Sequence, residues 1–105
     1  MFNAARYLPH VLPPLRDLPD DWELILVDDG SSDDSAALAA QLLPRARVVR
    51  LACRQGAAAA RNRALEVTAG PVVVFLDADV QATAATLGRL VAYLFERPEV
   101  AAVFG

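Results

Sequence analysis

Lysine is absent from this 105-residue sequence: all ten basic residues are arginine. Histidine and cysteine occur once each, as His10 and Cys53, so no internal disulfide can form, and neither a zinc site nor a Cys-His nucleophile is expected. No apolar stretch approaches the roughly 20 residues needed to span a bilayer, and the N-terminus lacks the basic-then-apolar order of a secretory signal. A cytoplasmic chain is the expectation. Cationic charge is not in excess either. With a formal net charge of -3, nothing favours nonspecific binding to nucleic acid, and no nucleic-acid partner is expected.

What remains suits a folded domain. Hydrophobic residues make up 55% of the chain and charged residues 22%, a globular rather than a disordered balance, and the length fits a single domain over residues 1–105. Charge is segregated. Acids dominate residues 17–34, whereas Arg45, Arg47, Arg50, Arg54, Arg61 and Arg63 occupy a stretch without any acid. That asymmetry permits a phosphate-bearing ligand, although such arginines are also common on a solvated face.

Residues 22–27 form a short, nearly continuous apolar run ending in Asp28-Asp29-Gly30, and residues 72–76 repeat the design, ending in Asp77. Runs of this kind suit parallel strands covered on both faces. Between them, Ser31-Ser32-Asp33-Asp34 offers N-cap candidates for a helix over 34–43 that Pro44 stops. Residues 47–52 predict a strand, 57–68 a helix closed by Gly70-Pro71, and Thr83 caps a last helix. In that last helix Leu87, Leu90, Val91 and Leu94 repeat at helical spacing. Residues 100–104 predict a further strand. Residues 4–18 favour a helix that Pro9, Pro13 and Pro14 shorten or break. This alternation calls for an open, mostly parallel α/β sheet with helices on both faces.

In such sheets ligands bind beyond the carboxyl ends of the strands, where Asp28, Asp29, Asp77 and Asp79 fall. Two carboxylates in Asp-x-Asp spacing can share a divalent cation whose other oxygens come from diphosphate and water. Taken alone, an Asp-x-Asp is weak evidence, because acids are common in such loops.

Three segments together carry more: Val27-Asp28-Asp29-Gly30-Ser31-Ser32-Asp33, then Gly56 with Ala60-Arg61-Asn62, then Phe75-Leu76-Asp77-Ala78-Asp79. In this order and spacing they resemble family 2 glycosyltransferases of the Rossmann-like GT-A fold. Asn3 with Tyr7-Leu8 resembles the end of that family's opening strand and the helix after it. The resemblance implies a nucleotide-diphosphate sugar as ligand, a UDP-sugar foremost, with Mn²⁺ or Mg²⁺ as cofactor. By the same resemblance Asp28 contacts the base, Asp77 the ribose or diphosphate, Asp79 (with Asp77) the metal, and Arg61 the nucleotide or the neighbouring loops. Asp29 is expected to be structural. In a full-length parent the resemblance also allows a place at the inner face of the membrane.

Against the family's pattern, the sequence lacks the first strand, which would lie between the strands at 22–27 and 72–76. It also lacks the C-terminal half that supplies the acceptor pocket and the catalytic base. No residue is therefore assigned as catalytic, and the unpaired strand edges lead us to expect self-association. A receiver domain and a phosphatase of the haloacid dehalogenase type also place acids at strand ends, but both need a lysine that this chain does not have. The remaining alternative is a non-catalytic remnant that binds a nucleotide or a protein.

Overall fold

The computed structural model describes residues 1–97, so the strand expected over 100–104 lies outside the described residues. Two strands, β1 (Ile25–Asp28) and β2 (Arg47–Arg50), pair in parallel, with Ile25 beside Arg47 and Asp28 beside Arg50. Helix α2 (Ser35–Leu42) connects them. α3 (Ala57–Val67) and α4 (Ala84–Glu96) follow β2.

The starts of the three longer helices have legible reasons. Thr83 caps α4 by accepting the Thr86 amide at 3.1 Å, as its side chain predicts. Gly56 opens α3 with φ near 100°, a conformation that favours glycine. At α2 the capping falls to Asp33, one residue before the nominal cap Asp34: its carboxylate accepts the Ser35 amide at 3.0 Å. The prolines divide the N-terminal helix as expected. α1 (Leu8–Val11) is a single turn, and a 3-10 helix over Pro13–Asp17 continues it.

Side chains alternate across a strand, and the two faces of β1 serve different layers. Leu24, Leu26 and Val48 join the main core with Leu8, Val11, Leu12, Leu15, Leu18, Ala39, Leu43 and Leu87. Val27 and Ala60 are buried outside that cluster, where α3 packs on β1. Helices thus cover both faces of the sheet. Burying a leucine as fully as Leu8 stabilises by about 1.5–3 kcal/mol. Two of the arginines brace this architecture rather than a ligand. Arg45 donates to the Leu18, Pro19 and Trp22 carbonyls at 2.6–3.0 Å, and Arg16 donates to the Leu42 carbonyl at the end of α2.

The expected strand at 72–76 is the main correction. This segment carries no ladder among the described residues, where the sheet has two strands. Met1 lies beside the end of β1 in a parallel sense, its ammonium donating to the Val27 carbonyl and its carbonyl accepting the Asp29 amide, both at 2.7 Å. Beyond Met1 a groove of about 810 Å³ separates β1 from residues 72–76, with Ile25, Val27, Val72 and Val74 on its walls. Val73, Val74 and Phe75 are 37–49% exposed. The α4 stripe has the expected phase, but only Leu87 is fully buried, because Val91 faces the same groove.

Candidate functional site

Asp28 is the last residue of β1 and has no exposed surface. Its Oδ1 accepts the Ser31 amide at 3.1 Å and the Ser31 hydroxyl, which closes a tight turn after the strand. Its Oδ2 has no hydrogen-bond partner, a rare state for a buried carboxylate oxygen. The Arg50 guanidinium stands nearest, with Nε at 3.6 Å, and its Nη2 donates to the Ser31 carbonyl at 3.1 Å.

Gly30 lets this turn pass under the neighbouring loop. Its φ is +72°, and a Cβ there would lie 2.6 Å from the Arg54 amide nitrogen and from the Cys53 carbonyl carbon. The N-terminal residues lock the other side. Asn3, with φ 47° in the left-handed region that asparagine tolerates, accepts the Ser32 and Asp33 amides through Oδ1 at 2.9 and 3.4 Å. Its own amide donates to the Ser31 hydroxyl, and the Ala4 amide to the Ser35 hydroxyl, each at 2.9 Å. Hydrogen bonds to Asp33, first from the Ser35 hydroxyl and then from the Ser35 and Ala5 amides, outweigh the opposing effect of burial and hold its pKa below the ordinary 3.8.

Asp29 ties the end of β1 to the start of α3. It accepts the Gln55 amide at 2.7 Å and the Gly56 amide at 2.9 Å, and these bonds, Gln55 first, lower its pKa against the opposing effect of burial. Both oxygens are therefore engaged by backbone, which is the structural role expected of it. Nearby, burial lowers the pKa of the Met1 ammonium below 8.0, while Asp28, Asp29 and Asp77 oppose that shift.

At the polar end of the groove, Asp29, Arg61 and Asp77 share the wall. Arg61 Nη2 donates to Asp77 Oδ1 at 3.1 Å, and both side chains are at least half exposed. Asp79 lies in the turn after Asp77, is exposed, and makes no hydrogen bond or ion pair among the described residues. No group of three or more metal-ligating side chains forms among the described residues. The donor set still suits a hard cation: carboxylate oxygens two residues apart, exposed, with Asp79 uncommitted. The structure thus places Arg61, Asp77 and Asp29 on one wall, with Asp28 buried behind the Asp29 turn. Arg50 was not singled out from sequence. Only the parallel register that sets it beside Asp28 distinguishes it from the other arginines.

The family model for glycosyl transferase family 2 matches residues 1–105. This chain belongs to that family. Among relatives, it is 36% identical over 91 residues to the succinoglycan biosynthesis protein ExoU of Rhizobium meliloti, covering 84% of this chain and 27% of the relative. It is 35% identical over 100 residues to a putative teichuronic acid biosynthesis glycosyltransferase, TuaG, of Bacillus subtilis, covering 91% of this chain and 40% of the relative. The crystal structure of residues 1–349 of S. aureus TarS superposes with a TM-score of 0.80 at 28% identity, covering 93% of this chain and 31% of that one. The fold is thus the GT-A fold of family 2, and the chain spans about a third of the length of these relatives. No helix among the described residues is long and apolar enough to cross a membrane.

Proposed function

We propose that this chain is the donor-binding part of an inverting family 2 glycosyltransferase and takes a nucleotide-diphosphate sugar, a UDP-sugar foremost, together with Mn²⁺ or Mg²⁺. The observation that carries the reading is Asp28: a buried carboxylate at a strand end with one oxygen committed to Ser31 and the other without a partner. An ionised carboxylate only accepts hydrogen bonds, so Oδ2, covered in this structure, would suit a ring N–H such as that of uracil once a ligand displaces that cover. Arg61 and Asp77 would meet the ribose and diphosphate, with Arg61 exchanging its exposed ion pair for phosphate. An ion pair between two such exposed groups is worth no more than about 1 kcal/mol, so the exchange costs little. Asp79, with Asp77, would hold the cation, which neutralises the departing diphosphate when bound.

Transfer to an acceptor needs a base within hydrogen-bond reach of the attacking hydroxyl, opposite the leaving group. Asp77 and Asp79, on the leaving-group side, do not suit that task, and the chemistry of transfer belongs to the proposal for a longer protein. One relative is named as an undecaprenyl-phosphate 4-deoxy-4-formamido-L-arabinose transferase, which supports a place at the inner face of a membrane for that longer protein.

Calorimetry of the 105-residue chain with UDP and Mn²⁺ tests the reading. Binding that requires Mn²⁺ and is lost in Asp79→Ala is the expected result. Absence of UDP binding by the unsubstituted chain would refute it in favour of a non-catalytic remnant.

A further inference from the structure

We propose that Arg50 is a positioning residue for Asp28. The claim rests on the reading of Asp28 as the base-contacting carboxylate, and goes beyond it by naming what holds that carboxylate in place. The register of the sheet sets the two residues side by side on adjacent strands, Asp28 ending β1 and Arg50 ending β2. From there the guanidinium reaches both ends of the Asp28-to-Ser31 turn: Nη2 donates to the Ser31 carbonyl at 3.1 Å, and Nε lies 3.6 Å from Asp28 Oδ2.

The distances define the role. At 3.6 Å, Nε is beyond hydrogen-bond range, so Oδ2 keeps its accepting capacity while a positive charge stands against it. A buried carboxylate oxygen without a nearby cation or donor is costly. Among the described cationic groups, only Arg50 lies within 4 Å of Asp28. The Met1 ammonium also acts on it at longer range. Arg50 achieves this from outside, since its side chain is 60% exposed while that of Asp28 is wholly covered. Its anchor on the Ser31 carbonyl keeps the guanidinium in place, and the same serine holds Oδ1 through its amide and hydroxyl. Arg50 and Ser31 thus clamp the carboxylate, with Oδ2 left as the one free acceptor. No other arginine duplicates the bridge. Arg47 begins β2 beside Ile25, Arg45 is spent on carbonyls near β1, and Arg61 pairs with Asp77.

The test uses Arg50→Gln and Asp28→Asn, singly and combined, in the 105-residue chain, with Arg47→Gln as a control for loss of a surface charge. The first readout needs no ligand. In urea unfolding, Arg50→Gln is expected to raise the unfolding equilibrium constant about fivefold in the native background and less than twofold once Asp28 is Asn. An equal effect in both backgrounds, or an effect no larger than that of Arg47→Gln, overturns the proposal. The second readout is affinity: Arg50→Gln should weaken UDP about tenfold and leave inorganic pyrophosphate with Mn²⁺ unchanged. Equal weakening of both ligands also overturns it, because a positioning role through Asp28 concerns the base alone. If the unsubstituted chain binds no UDP, the donor-site reading fails, while the unfolding cycle still decides whether Arg50 acts through Asp28.

Discussion

Gly30 sits where two loops of the site touch backbone to backbone, and replacing it should separate two causes of glycine dependence. With φ at +72°, an alanine there adopts a left-handed conformation that costs roughly 1–2 kcal/mol. Its Cβ would also stand 2.6 Å from two backbone atoms of the Cys53–Arg54 peptide, too close without moving that loop. Overpacking of this kind costs typically 1–3 kcal/mol. The sum is about 2–5 kcal/mol, a large part of the stability of so small a domain.

Urea unfolding followed by the single Trp22 measures the loss. Asparagine is the informative second substitution, because it tolerates positive φ yet carries the same Cβ. Gly30→Asn should therefore recover up to the roughly 1–2 kcal/mol of the left-handed conformation and keep the roughly 1–3 kcal/mol of the close contact. At Gly88, within α4, a Cβ meets nothing within 4 Å, and Gly88→Ala should stabilise by roughly 0.5–1 kcal/mol. If Gly30→Asn recovered all of the stability lost in Gly30→Ala, the backbone conformation alone would explain the glycine, and the close-contact argument would be wrong.

Acid should destabilise the domain through Asp29 and Asp33. Both have folded pKa values depressed below 3.8, so their contribution is present above that value and is lost as pH falls through the folded values. Urea midpoints taken from about pH 6 down to about pH 2 should fall steeply at the acid end, and Asp33→Asn should flatten that limb. A curve of the same acid slope in the variant would count against the hydrogen-bond account of Asp33. Self-association is the other expectation: Val73, Val74 and Phe75 are exposed on a segment without a ladder among the described residues, and unpaired apolar edges recruit other chains. Sedimentation velocity at rising concentration should show species heavier than 11.2 kDa, whereas a single monomer throughout would contradict it.

Much of the fold was legible because its signals are local. Gly56 and Pro44 delimit α3 and α2, Thr83 caps α4, and Pro13 and Pro14 divide the N-terminal helix, each acting through its own backbone. What local signals do not carry is partnership. The apolar runs at 22–27 and 72–76 look alike in sequence, yet among the described residues only the first lies beside a second strand. The same limit explains Arg50, which gains its meaning from the register opposite Asp28, and Asp28 itself, whose place within the strand rather than after it depends on where the ladder to β2 ends.

The two halves of the candidate site differ in how they are held, and that difference bears on binding. Asp28, Asp29 and Asp33 are set by hydrogen bonds from Ser31, Ser35, Gln55, Gly56 and Ala5, while Asn3 gathers the amides of the intervening turn. This half needs no third strand. Asp77 and Asp79 follow the segment without a ladder, and Asp77 is tied to the rest of the site by a single exposed pair with Arg61. A ligand spanning both halves would meet a firmly held Asp28 turn, whose carboxylate is covered in this structure, and a loosely held diphosphate end. Most of the ordering that accompanies binding would then fall at Asp77 and Asp79, where the cation is proposed to sit. The metal dependence of UDP binding should accordingly exceed what charge neutralisation alone supplies, because the cation would also order the carboxylates that hold it.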